Sequence, residues 1–302
     1  MEIIIISEEF DGMQLKKFVR KNFPQIPLSG IFKILRLGKI KKNGKKTTGN
    51  EVLKFGDEIK IFFDPGKIEI RKKSPPVLNQ QKIKKLDIIF ENEKIFAINK
   101  PAGMPAQPGS KIKIGESAIE IAEQNFPQNT PHLVHRIDRE TSGVLLFAKN
   151  GGELRKIIPI FSSEKISKKY LALVFGNVSK NFGKIEKALS DEKKIFREAK
   201  TQFQVLQKNS EFSFLEVEIF TGRKHQIRRH FSEIGYPVIG DKKYGNFKKN
   251  RDFTKKYRTD RHFLHAASLQ FCFSKSEKCD IFAPLPKNFR KILEKIFGQN
   301  GF

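Results

Sequence analysis

At 302 residues, with 38% hydrophobic content and 29 phenylalanines, the chain can bury a substantial core, and its length suggests two domains. No apolar run approaches the roughly 20 residues of a membrane-spanning helix, and the start MEIIIISEEFDG lacks the features of a signal peptide, so no membrane partner and a cytoplasmic location are expected. A formal charge of +26, from 59 Lys+Arg against 33 Asp+Glu, points to a polyanionic partner.

The amino-terminal segment concentrates that charge: residues 12–61 hold thirteen Lys+Arg against three acids. Leu15, Phe18 and Val19 mark one helical face. Ser29 is the expected N-cap of a second helix with Ile31, Ile34 and Leu35 on its apolar side, stopped at Gly38. Lys33 and Arg36 fall on a different face of that helix, so a buried stripe and a basic stripe can coexist. Short strands are predicted around Ile40, at Val52–Phe55 and at Ile59–Phe63, with turns at Asn43-Gly44 and Gly56-Asp57. The order helix, helix, KIKKNGKK, FGDEIKIFF resembles the S4 RNA-binding domain. The resemblance implies an RNA-gripping role for this segment, with Lys33, Arg36 and Lys39 as contacts.

Residues 64–85 carry Pro65, Gly66, Pro75 and Pro76 among lysines and glutamines and read as a linker, with a short strand at Lys67–Ile70. The expected organisation is therefore a domain over 1–63, a linker over 64–85 and a second domain over 86–302. LDIIFENEKIFAINKP gives a hairpin ending in a Lys-Pro-Ala-Gly turn. Helices are predicted at Ser117–Phe126, Glu153–Phe161, His225–Ile234 and Lys287–Phe297. Strands are predicted at Val144–Ala148, Tyr170–Phe175, Phe203–Leu206, Phe212–Phe220 and Leu269–Phe273. Without a regular βαβ alternation, the fold class expected is α+β, with a mixed, mainly antiparallel sheet and flanking helices. The two cysteines, Cys272 and Cys279, have the spacing of neither a metal knuckle nor a disulfide framework, so a reduced compartment is expected.

Two polar clusters carry the chemistry. HRIDRETSG, residues 135–143, sets Asp138 between Arg136 and Arg139. Taken alone this is an ion pair. His132, His135 and Asp138 at spacing three are potential metal donors, but Pro131 and the β-rich sequence that follows argue against the helix that would align them, and no metal is expected. Ser142 lacks the G-x-S-x-G context of a nucleophile elbow. TGRKHQIRRH, residues 221–230, packs Arg223, His225, Gln226, Arg228 and His230 directly after the apolar strand FSFLEVEIF, a position suited to building a site.

Together INKPAG, HRIDRETSG, KKYLALVFG, TGRKHQIRRHFSEIGYPVIGDKKYG and FLHAASLQF resemble, in this order, the pseudouridine synthases of the RluA family, closest to the branch that modifies large-subunit ribosomal RNA. The resemblance spans essentially the whole chain. It implies an isomerase that converts uridine to pseudouridine without a cofactor, acting on RNA, with large-subunit ribosomal RNA favoured over transfer RNA; a monomer is expected. It places the catalytic aspartate on Asp138, an arginine paired with it on Arg223, and an aromatic residue against the reacting base on Tyr170. Asp138 would then attack the sugar or the base, or remove a ribose proton. Arg136, Arg139, Lys100, His225 and Arg228 are the expected nucleotide or phosphate contacts. Gln107, where many relatives carry histidine, and Ile137, where leucine is usual, are mild departures. The rival readings are a non-catalytic RNA-binding or ribosome-assembly factor, a synthase directed to transfer RNA and a metal hydrolase using the histidine pairs.

Overall fold

The computed structural model describes residues 2–62 and 85–298, apart from positions 24, 25, 27, 110, 111, 113, 114, 162, 164, 165, 193, 260, 275 and 276. The chain packs as two units, Met1–Gln81 and Lys82–Phe302. The expected linker, up to residue 84, and the strand at Lys67–Ile70 lie outside the described residues.

In the first unit β1 (Glu2–Ile5), α1 (Leu15–Asn22), α2 (Leu28–Arg36), β2 (Ile40–Lys42), β3 (Lys45–Lys46) and β4 (Glu58–Ile61) follow one another, and the sheet runs β1-β4-β2-β3. The apolar faces of α1 and α2 bury Leu15, Phe18, Val19, Ile31, Ile34 and Leu35 against Ile40, Ile59 and Ile61 of the sheet. Asn43 and Gly44 both take positive φ, 48° and 73°, the geometry that lets a two-residue turn follow the strand twist. Three expectations change. The second helix starts at Leu28, one residue before Ser29, and β1 adds a strand. Val52–Phe55 makes one isolated bridge, from Val52 to Gln14, rather than a strand. The Leu53 amide donates to the Met13 carbonyl, and the two after it donate to carboxylates instead of a ladder: Lys54 to Asp57 and Phe55 to Asp11.

The second unit is built on a ten-stranded sheet with helices around it. Its elements are β5 (Ile88–Glu91), β6 (Ile95–Lys100), α3 (Ala118–Asn125), β7 (His132–Leu133), β8 (Ser142–Ala148), α4 (Gly151–Phe161), β9 (Ser167–Phe175), β10 (Phe182–Glu186), β11 (Leu189–Ser190), β12 (Phe196–Arg197), β13 (Lys200–Lys208), β14 (Phe212–Ile219), α5 (Gln226–Glu233), α6 (Phe247–Tyr257), β15 (Leu264–Ser274), β16 (Glu277–Phe282) and α7 (Lys287–Phe297). The strand order is β10-β13-β14-β9-β15-β8-β6-β5, with β7 on β8 and β16 on β15, while β11 and β12 pair apart. The sheet is antiparallel except where β15 meets β8 in parallel at Ser142 and Gly143. The class is α+β.

Every residue of β8 is buried, as a continuous apolar strand flanked on both sides should be. Gly143 is needed there: its φ is +108°, and a Cβ would stand 2.1 Å from the carbonyl oxygen of Ala266. The loop carrying Asp138 runs straight into this strand. Three strands away, β14 leads into α5, and β9 lies between β14 and β15; Asp138 of the first loop, Tyr170 of β9 and Arg228 of α5 line one cavity.

Candidate active site

The loop of Asp138 is stitched to the Lys-Pro-Ala-Gly turn. Gly103 N–H donates to the Arg139 carbonyl at 2.8 Å, and Arg139 Nε donates to the Gly103 carbonyl at 2.8 Å. Lys100 Nζ donates to the carbonyls of Pro101 (2.9 Å), Met104 (2.8 Å) and Arg139 (3.0 Å). Lys100 is fully buried, and desolvation pushes its pKa down to about 7. The expected nucleotide contact is therefore corrected: the ammonium faces three loop carbonyls and is spent on holding the two turns together.

Histidines brace the other side of the loop. His262 Nε2 meets Thr141 Oγ1 at 2.9 Å. His265 Nε2 lies 3.1 Å from the Ala283 carbonyl, which only accepts, so Nδ1 accepts from Ser142 Oγ at 2.9 Å. His135 Nε2 accepts the Leu146 N–H at 3.1 Å, and its ring stacks on Phe161. Burial lowers the pKa to about 3 for His135 and His262 and to about 4 for His265, so all three are neutral braces near neutral pH. His132 and His135 sit on β7 and the irregular loop after it, not on a helix. Among the described residues no three of His, Cys, Asp or Glu gather as a metal site.

Asp138 is anchored at one oxygen. Arg228 Nη1 donates to Asp138 Oδ2 at 2.6 Å. The same guanidinium forks onto a second carboxylate, with Nε to Asp241 Oδ2 at 2.7 Å and Nη2 to Asp241 Oδ1 at 2.8 Å. Burial works against the charge on Arg228, but its bonds to Asp241 and Asp138 outweigh that and raise its pKa. Asp241 is 1% exposed and also accepts the amides of Lys243 and Tyr244. Here the expected pairing of Asp138 with Arg223 is corrected to Arg228. Arg223 precedes α5, is exposed and gives its Nε to the Glu198 carbonyl at 3.0 Å. Arg228, inside the first turn of α5, reaches both Asp138 and Asp241 from the helix.

The bend into α5 is held by Gln226. Its Oε1 accepts from Thr221 Oγ1 and the Arg223 amide, and its Nε2 donates to the Lys200 carbonyl and to Thr201 Oγ1. His225 caps the helix in the left-handed region, φ 55° and ψ 31°, a strained backbone for a residue with a side chain. That conformation sets its ring between Tyr244 and Asp138: Nδ1 is 3.0 Å from the Tyr244 hydroxyl and Nε2 is 3.6 Å from Asp138 Oδ1. Desolvation lowers the His225 pKa against the pull of Asp138.

Asp138, Tyr170, Arg223, His225 and Arg228 line one cavity of about 450 Å³, a size suited to a small ligand. Burial, and then the charge of Asp138, raise the pKa of the Tyr170 phenol, which stays protonated at neutral pH. On the other side of Asp138 a second hollow of about 740 Å³ is lined by Arg136, Arg139, Gln107, Lys242 and Lys243. Arg136 borders both spaces and Arg139 only this one; both are exposed. Lys33, Arg36 and Lys39 belong to the first unit and are exposed on α2 and just beyond it.

Residues 94–233, which span Asp138, Tyr170 and Arg228, match a family described as RNA pseudouridylate synthase. The ribosomal large subunit pseudouridine synthase C of Vibrio cholerae is 32% identical over 98% of this chain and 97% of its own length. The chain belongs to the RNA pseudouridylate synthase family. This synthase is thus an isomerase. The ribosomal large subunit pseudouridine synthase C of Escherichia coli is 31% identical over 98% of this chain and 97% of its own. The solved structure of human RNA pseudouridylate synthase domain containing 4 shares the fold, with a TM-score of 0.59 at 23% identity over 69% of this chain and 92% of that one. No helix among the described residues is long and apolar enough to cross a membrane.

Asp241 and Tyr244 are site residues that the sequence reading missed. The available signal was an acid at the end of the apolar run Pro237–Ile239 inside the otherwise basic GDKKYG turn.

Proposed function

We propose that this synthase isomerises specific uridines of large-subunit ribosomal RNA to pseudouridine, with Asp138 as the catalytic carboxylate and no cofactor. One observation carries the reading: Asp138 has one oxygen fixed by Arg228 while the other has no hydrogen bond among the described residues, in a cavity walled by the Tyr170 ring. The full-length similarity to synthases named for the ribosomal large subunit supports the choice of RNA.

The reaction breaks the bond from ribose C1′ to base N1, turns the base and joins C5 to C1′; the C5 proton leaves and N1 gains one, so nothing is oxidised or added. An anchored carboxylate with a free oxygen can open this sequence by bonding to C1′ or by taking a ribose proton. Fixing Oδ2 aims Oδ1 and holds the negative charge in place. Tyr170 offers a flat apolar face for the detached base. A uridine inside a helix must leave its stack to enter, at a cost of a few kcal/mol that backbone contacts offset. Arg136, Arg139, Arg223, Lys242 and Lys243 are the cations placed for those contacts around the cleft.

The first unit is read as an S4-like RNA-binding domain, and Lys33, Arg36 and Lys39 as its phosphate contacts. Residues 86–302 form the catalytic domain. Asp138→Asn tests the central assignment: RNA binding should persist while tritium release from [5-³H]uridine in ribosomal RNA falls below detection. Turnover retained by that variant would refute it.

A further inference from the structure

Lys168 stands two residues before Tyr170 on β9, so both side chains leave the same face of the strand, with their Cα atoms about 7 Å apart. Both line the cavity of Asp138. Lys168 is only 8% exposed, yet among the described residues its ammonium has neither a carboxylate nor a hydrogen-bond acceptor. What it meets is the Phe161 ring, with the centroid at 6.0 Å. His135, stacked on that ring, has its Nε2 committed to an amide. The neighbours are unlike it. Lys169 pairs with Glu216 at 2.7 Å, and the fully buried Lys100 has its three carbonyls. Burying an unpaired cation is unfavourable, and burial lowers the Lys168 pKa accordingly. The charge is kept at the cavity wall without a partner among the described residues, so its partner is sought in the substrate.

We propose that Lys168 is a catalytic residue, donating a hydrogen bond to a carbonyl oxygen of the uracil ring while that ring is detached from the ribose. The inference rests on the isomerase reading above. Breaking C1′–N1 leaves the bonding pair on the base, where it spreads onto the two carbonyl oxygens. The ammonium stabilises this anion without giving up its proton. When C5 bonds to C1′ the pair returns to the sugar, and the C5 proton is then lost. A ring lying on Tyr170 has its carbonyl edge within reach of an ammonium one strand repeat away. Backbone phosphates are met instead by the exposed cations of the cleft.

The test uses the full chain and large-subunit ribosomal RNA transcribed with [5-³H]UTP, under single-turnover conditions. Lys168→Met should slow release by about 10²- to 10³-fold, leave RNA affinity within about twofold, and leave the melting temperature unchanged or raised, because an unpaired buried charge has gone. Lys168→Arg should recover part of the rate. Transcripts made with 2-thio- or 4-thio-UTP, digested to nucleosides and read by chromatographic separation of the two isomers, give the second arm: sulfur at the contacted carbonyl slows the wild-type enzyme but slows Lys168→Met no further. A Lys168→Met rate within about threefold of wild type, a loss confined to RNA affinity, or equal sulfur effects in both proteins would overturn the role of Lys168. Absence of release by the wild-type enzyme would instead overturn the isomerase reading and this role with it.

Discussion

Asp241 lies behind Arg228 and borders neither hollow, so a substitution there acts on the reaction through the guanidinium alone. Asp241→Asn keeps the shape and removes one acceptor. With its oxygen in the Oδ1 position, asparagine still receives Arg228 Nη2 and the amides of Lys243 and Tyr244. Its amide nitrogen then faces Arg228 Nε, where Oδ2 had accepted at 2.7 Å, so a donor meets a donor. Losing one charge-assisted bond in a buried site costs about 1.5–3 kcal/mol. For a unit of this size that is a fall of about 3 to 12 °C in melting temperature. The fork that sets the Arg228 plane is then held by one arm, and a shift of about 1 Å at Asp138 costs on the order of 10²-fold in rate. Single-turnover tritium release well below the melting point should therefore drop about 10- to 100-fold, with RNA affinity retained. A variant with wild-type rate and wild-type melting temperature would refute the claim that Asp241 positions Arg228.

Acid should destabilise the second unit. The folded pKa values of His262 and His265, about 3 and about 4, lie below the ordinary 6.5, so between pH 6.5 and 4 the unfolded chain binds more protons and stability falls as pH falls. At pH 5 this amounts to about 2 kcal/mol per histidine, and a melting temperature flat from pH 7 to 5 would contradict it. Gly143→Ala should cost more than about 4 kcal/mol or prevent folding, because its Cβ meets backbone. Gly103→Ala, with φ of +89° and nothing within 4 Å, should cost about 1–2 kcal/mol of strain, and chemical denaturation would separate the two. If Lys33, Arg36 and Lys39 each hold a phosphate, their joint replacement by alanine should reduce the slope of log affinity against log salt by about two to three; an unchanged slope would remove them from the interface.

Much of this architecture was legible because its apolar patterns are strong. The all-buried β8 and the amphipathic α7 stand where the spacing puts them. What escaped was locally weak. α6, FKKNRDFTKKY, buries only Phe253 and reads as a polar loop, and β1 and β16 declare themselves as strands only through the partners they pair with. The candidate site shows the same limit. Asp138 and Tyr170 could be named because each sits in a distinctive string. The partner of Asp138 could not be read from the string, because five polar residues crowd the start of α5 and the helix phase decides which one turns inward. Lys100 was misjudged for a related reason: a lysine before Pro-Ala-Gly looks exposed until the loop folds its carbonyls around the ammonium.

The sharing of Arg228 between two carboxylates explains how an acid can work inside a chain of such positive charge. One guanidinium against Asp138 and Asp241 leaves the trio with a net negative charge, and Asp138, whose Oδ1 has no hydrogen bond among the described residues, lines the cavity. On the proposed reading, phosphates drawn in by the basic surface would be repelled from that oxygen and held instead by Arg136, Arg139 and Lys243, which line the hollow beside it. The uncharged base and sugar feel no such repulsion. Under the role proposed for Asp138, a neutralised carboxylate would lose this discrimination along with its reactivity, and sharing Arg228 with Asp241 keeps the guanidinium from cancelling the charge of Asp138 alone.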